Sequence, residues 1–102
     1  MDKIQMCPKF EAAFELLGKK WTGLIISTLL KGANRFSDIQ EVIPALSARM
    51  LTERLKDLED QGILVRNVYP EMPVRIEYEL TDKGRDLEKS LSEIQKWAEK
   101  WS

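Results

Sequence analysis

The chain has no histidine and a single cysteine, Cys7. The first absence removes the commonest zinc ligand and the commonest general base together. The second excludes an internal disulfide framework and any all-cysteine metal site. No glycine-rich phosphate loop is present, and the carboxylates stand at helical spacing among lysines as solvated faces. A cysteine nucleophile without histidine is poorly equipped, so neither an enzyme nor a cofactor is expected. Long hydrophobic runs are missing too. The longest nearly apolar stretch, Leu24 to Leu30, is far too short to span a bilayer. The first residues lack the basic start and apolar run of a signal peptide, which points to a cytoplasmic, reducing compartment and no membrane partner. Nor is there an excess of one charge: 16 Lys+Arg stand against 17 Asp+Glu, a formal net charge of -1. Many nucleic-acid-binding domains are frankly basic, so this balance counts mildly against that class. Its distribution matters more than its sum. Up to Arg35, the cations Lys3, Lys9, Lys19, Lys20, Lys31 and Arg35 outnumber Asp2, Glu11 and Glu15, and most acidic residues come after Glu53.

What is present describes one domain. The 102 residues, 43% hydrophobic and 32% charged, suit a single soluble globular core. Pro8 fits the first turn of a helix with Cys7 at its N-cap, and Phe10, Ala13, Phe14 and Leu17 follow at helical spacing up to Gly18. A second helix is expected from Lys20 to Leu30, with Trp21, Leu24, Ile25, Thr28 and Leu29 on its apolar face. Ser37 and Gln40 form a capping-box pattern that opens a short helix through Ile39, Val42 and Ile43, stopped by Pro44. Ser47 caps a longer helix reaching Gln61, ended by Gly62 and carrying Leu51, Leu55 and Leu58 as its buried stripe. The period then changes. Ile63 to Tyr69 is rich in strand formers, and Val74 to Leu80 alternates with Ile76, Tyr78 and Leu80 on one side. Pro70-Glu71-Met72-Pro73 joins the two as a hairpin loop. Thr81-Asp82 caps a last helix running to the C-terminus, with Leu87, Leu91, Ile94, Trp97 and Trp101 on one stripe. The expected fold is mainly α with a small β-hairpin: a MarR-like winged helix-turn-helix with an added C-terminal dimerisation helix. Residues 1–102 form one domain, with the helix-turn-helix at about 36–61, the wing at about 63–80, and dimerisation by 8–17 and 82–101.

Several segments also resemble a known family. Met6-Cys7-Pro8, Leu16-Leu17-Gly18-Lys19-Lys20-Trp21 and Arg35-Phe36-Ser37-Asp38-Ile39 are similar to the HxlR-type regulators, as are Ser47 through Leu58, Gly62-Ile63-Leu64 and Tyr78 through Gly84. The resemblance spans nearly the whole chain. It looks strongest to those bacterial members that sense quinones, diamide or other electrophiles through one N-terminal cysteine. Such a resemblance implies a homodimeric repressor or activator of nearby detoxification genes. One departure stands out. Some relatives carry further cysteines near the C-terminus, and this chain ends at Ser102 with none. That leaves a Cys7–Cys7 bridge, a mixed disulfide with a small thiol or a direct adduct; alkylation needs no partner and is the favoured route.

Each expected contact has a chemical reason. The long helix is expected to lie in the major groove of a pseudo-palindromic operator in double-stranded DNA. Arg49 is the candidate for bidentate contact to guanine, Ser47 and Thr52 for phosphates or bases, and Met50 for a thymine methyl. Arg54 and Lys56 are expected on phosphates, and Arg75 in a neighbouring minor groove or paired with Glu71 or Glu77. Phe10, Phe14, Leu91, Ile94, Trp97 and Trp101 form the expected dimer interface. The resemblance makes Cys7 the expected redox sensor, with a quinone or similar small electrophile as its inducer. The start of a helix and the nearby Lys3 and Lys9 would favour a thiolate there, although a lone cysteine is more often an inert buried residue. A DNA-binding regulator without a thiol switch and a winged-helix protein–protein adaptor remain alternatives.

Overall fold

The computed structural model describes residues 3–102; Met1 and Asp2, the latter part of the N-terminal charge balance, lie outside the described residues. Eight elements follow in order: α1 (Pro8–Leu17), α2 (Thr22–Leu30), α3 (Phe36–Val42), α4 (Ala48–Asp60), β1 (Leu64–Tyr69), β2 (Arg75–Leu80), α5 (Asp82–Arg85) and α6 (Glu88–Trp101). The strands pair antiparallel with Leu64 opposite Leu80 and Tyr69 opposite Arg75. The result is the winged helix-turn-helix expected, mainly helical with one hairpin.

The core lies between α2, α3, α4 and the base of the hairpin. Ile25, Ile26, Leu29, Ile39, Leu51, Leu55, Leu58, Ile63 and Leu64 are buried there. Each fully buried aliphatic side chain of this kind contributes about 1.5–3 kcal/mol relative to exposure. The stripe expected on α4 is the stripe observed. That on α2 is rotated: Ile26 is buried and Leu24 is exposed. Trp21 adopts φ 79°, a left-handed conformation rare for a bulky residue, so α2 begins at Thr22 and not at Lys20. Lys20 Nζ sits 4.8 Å over the Trp21 ring.

Two further boundaries differ from expectation. The N-cap of α3 is Arg35 rather than Ser37, and its backbone N–H donates to Asp38 Oδ2 at 3.2 Å. Asp38 thus supplies the side-chain acceptor expected of Gln40, and only that half of the capping box forms, because an arginine side chain has no acceptor to offer in return. The expected C-terminal helix is also broken into α5 and α6 at Asp86 and Leu87, where ψ is -17° and -11°. The turn has a reason. Thr81 Oγ1 donates to Gly62 O at 2.5 Å and accepts from Gly84 N at 3.3 Å, and the Thr81 N–H donates to Ile63 O at 3.0 Å, fixing α5 to the end of α4 and the start of the hairpin. A Cβ on Gly84 would run into the Ile63 carbonyl and the Leu80 side chain, so only glycine lets α5 sit there. The chain must turn afterwards for α6 to reach α2.

The hairpin is tied back to the helices by one further bond, Tyr78 N–H to Asn34 O at 2.7 Å. At the other end of α4, Gly62 takes φ 72° and turns the chain directly into β1. These ties hold the hairpin and α4 as one unit. Among the described residues, no helix is long and apolar enough to cross a membrane.

Candidate functional site

The outward side of α4 is defined by what its inward side buries. With Leu51, Leu55 and Leu58 in the core, Arg49, Glu53, Lys56 and Asp60 fall on the opposite face at helical spacing. Arg49 projects into solvent with its side chain 92% exposed, and its Nε lies 3.9 Å from Glu53 Oε1. Lys56 is exposed and joins no ion pair among the described residues. Ser47 Oγ caps the helix by accepting from Met50 N at 3.1 Å, and Thr52 Oγ1 donates to Ala48 O at 2.8 Å. Both hydroxyls therefore serve the helix itself. Met50 is half-buried against the core.

Two arginines are held within the fold. Arg54 turns inward, 16% exposed, with Nε donating to Lys20 O at 2.9 Å and Nη1 3.5 Å from Asp57. Lys19 Nζ meets the same Asp57 carboxylate at 3.2 Å, so α4 is clamped to the turn before α2. Arg75 is held more firmly in the wing. Its Nη1 donates to Glu77 at 2.8 Å and its Nη2 to Glu71 at 3.1 Å. Its guanidinium lies 4.0 Å over the Tyr69 ring, and its Nε is buried without a hydrogen-bond partner. Desolvation works against the charged guanidinium, but the Glu71 and Glu77 carboxylates outweigh it and raise its pKa above the ordinary value. Of the two placements open to Arg75, the carboxylate pairing is the one seen.

Sequence reasoning passed over Tyr69 and Arg66. Tyr69 faces Arg75 across the strands, a pairing legible only once the register is known. Arg66 is exposed on β1 with no ion pair among the described residues.

Cys7 lies at the other end of the chain. It is the N-cap of α1, free and exposed, and its thiol makes no capping hydrogen bond. Phe10 and Phe14 follow it on α1, four residues apart on one side of the helix. Phe10 and Phe14 are both exposed there, their rings packed edge to face with centroids 4.9 Å apart. On α6 the expected stripe divides: Leu87 and Leu91 pack on the chain's own core, while Ile94, Trp97 and Trp101 are exposed. The last two are 66% and 69% exposed. Thus the structure leaves five of the six expected interface residues, Leu91 excepted, as open apolar surface on α1 and α6.

Comparison with known proteins extends these observations. The HxlR-like helix-turn-helix family matches residues 16–102. The HTH-type transcriptional regulator YvaP of Bacillus subtilis (strain 168) is 54% identical over 101 residues, covering 99% of this chain and 94% of that protein. YodB, an HTH-type transcriptional regulator of the same strain, is 52% identical over 96 residues, covering 94% and 86%. The reduced form of YodB superposes with a TM-score of 0.82 at 52% identity, over 95% of each chain. Its quinone-bound form gives 0.80 at 48% identity, over 94% of this chain and 100% of that one. The redox regulator HypR in its oxidised form gives 0.86 at 35% identity, over 94% and 98%. A family match across most of the chain, identities above one half and the same winged fold agree, and the chain belongs to the HxlR-like helix-turn-helix family of transcriptional regulators, which are not enzymes.

Proposed function

We propose that this regulator binds operator DNA as a homodimer, as a repressor of detoxification genes, and that its hold on DNA changes when Cys7 is alkylated or oxidised by a quinone or related electrophile. The observation that carries the reading is an exposed free thiol at the head of α1, the helix that also exposes Phe10 and Phe14. The similarity to YodB, solved in reduced, diamide-treated and quinone-bound forms, supports it. A cysteine adds through sulfur to a quinone ring carbon, and the thiol proton ends on the resulting hydroquinone. No second cysteine is needed.

In this reading α4 enters the major groove, Arg49 addresses a guanine, and Lys56 and Arg66 neutralise phosphates. Ser47, Met50 and Thr52 line the groove from the N-terminal half of α4. Arg54 and Arg75 act one step back, fixing α4 and the wing. Phe10, Phe14, Ile94, Trp97 and Trp101 meet a second copy, with Leu91 at the root of that surface. An adduct on Cys7 alters the packing of α1 there and shifts the two copies of α4 out of register with successive grooves.

The test is a gel shift on the DNA upstream of the protein's own gene, with and without a benzoquinone, using wild type and Cys7→Ser. The expected result is release of wild type by the quinone and retention of Cys7→Ser. Equal release of both proteins discards the sensor and leaves the regulator standing.

A further inference from the structure

We propose that Glu53 is a specificity-determining residue of α4: its carboxylate orients the Arg49 guanidinium and itself requires an amino donor, so that the two together read a G·C pair. The proposal deepens the reading above and rests on α4 being the recognition helix. Its basis is what remains on the outward face once internal duties are removed. Ser47 and Thr52 direct their hydroxyls to the helix backbone, and Arg54 is folded against Lys20 and Asp57. Arg49 and Glu53 are left as the charged groups of the N-terminal half, adjacent at i and i+4.

The geometry between them is directional. Glu53 approaches Arg49 from the Nε side, at 3.9 Å, and neither terminal amino group of Arg49 has a partner among the described residues. The free end of the guanidinium presents two parallel N–H groups, the fork that guanine O6 and N7 accept. Glu53 itself only accepts hydrogen bonds. Facing the N4 amino group of cytosine, its carboxylate is satisfied. Facing thymine O4, acceptor meets acceptor and the desolvated charge is uncompensated. Its charge also repels the backbone of any DNA that offers no donor, which is discrimination by penalty as well as by attraction. A purely structural role explains little, because an exposed ion pair adds next to nothing to folding.

The test is selection from a random-sequence duplex pool by the full chain, as wild type, Glu53→Gln and Asp60→Asn. The last variant removes an equal charge from the same face, nearer the end of the helix. Wild type is expected to select a G·C pair at one position in each half-site. Glu53→Gln should lose about tenfold of that preference and bind unselected DNA more tightly, while Asp60→Asn keeps the preference. An unchanged preference in Glu53→Gln, or an equal relaxation in Asp60→Asn, overturns the role of Glu53 alone. If wild type selects no sequence, the assignment of α4 as the reader falls with it.

Discussion

Arg54 and Lys56 are two residues apart on α4, but their side chains meet different surroundings. Arg54 joins the helix to the turn before α2 through the Lys20 carbonyl and Asp57, and little of it reaches water. Lys56 is exposed and joins no ion pair among the described residues. Removing Arg54 takes the side-chain donor from the Lys20 carbonyl and leaves Asp57 to Lys19 alone, so Arg54→Ala should cost about 1 kcal/mol of stability in thermal or urea denaturation. Lys56→Ala should stay within about 0.5 kcal/mol of wild type. On DNA the consequence reverses: Lys56→Ala should weaken binding evenly across sequences and reduce the salt slope by about one. From sequence both residues are candidates for phosphate. Charge and helical spacing are legible in one dimension, whereas the carbonyl that claims Arg54 lies 34 positions away. Arg49 was placed on the outward face directly by the leucine stripe, because that argument needs only the period of one helix.

At the scale of elements, the wing carries the same lesson. Its strands and loop were readable from alternation and the two prolines, but not the cluster that orders its tip. Tyr69, Glu71, Arg75 and Glu77 converge because the register sets Tyr69 opposite Arg75, and register follows from the loop's exact path. Arg75→Ala should therefore leave the helices intact and speed amide exchange severalfold in residues 69–75, measured by hydrogen exchange. Unchanged exchange there would mean the loop is ordered by its own backbone. The break between α5 and α6 was hidden for a related reason. Leu87, Leu91 and Ile94 keep helical spacing across it, so periodicity alone runs straight through. What bends the chain is tertiary: Thr81 and Gly84 bind α5 to Ile63, and α6 must then turn toward α2. At the start of α2, the left-handed Trp21 is a backbone choice that propensity argues against and no local pattern announces.

The whole molecule is longer than its size requires. Its radius of gyration is 15.7 Å and its longest extent 65 Å, where a compact domain of this length has a radius near 13 Å. Neither α1 nor α6 has a buried residue, and both present aromatic side chains to solvent. A chain this small has little reason to expose Trp97 and Trp101 as well as Phe10 and Phe14 unless another surface covers them. In the proposed dimer those faces close on a second copy, and the two copies of α4 would then address successive turns of one groove. In that proposal Cys7, exposed at the head of the helix that carries Phe10 and Phe14, is where a change in the closure would begin. The charge balance is compatible with the proposed scheme, in which the reading face would supply a few well-placed cations and Glu53 would restrain indiscriminate binding.

The central claim is that this two-fold arrangement reads DNA, and a hydroxyl-radical footprint of the reduced protein on its own upstream region tests it most directly. The predicted result is two protected patches on one face of the duplex, centred about 10 base pairs apart and weakening steeply as salt rises. A single patch, or protection spread evenly over unrelated DNA, would contradict it.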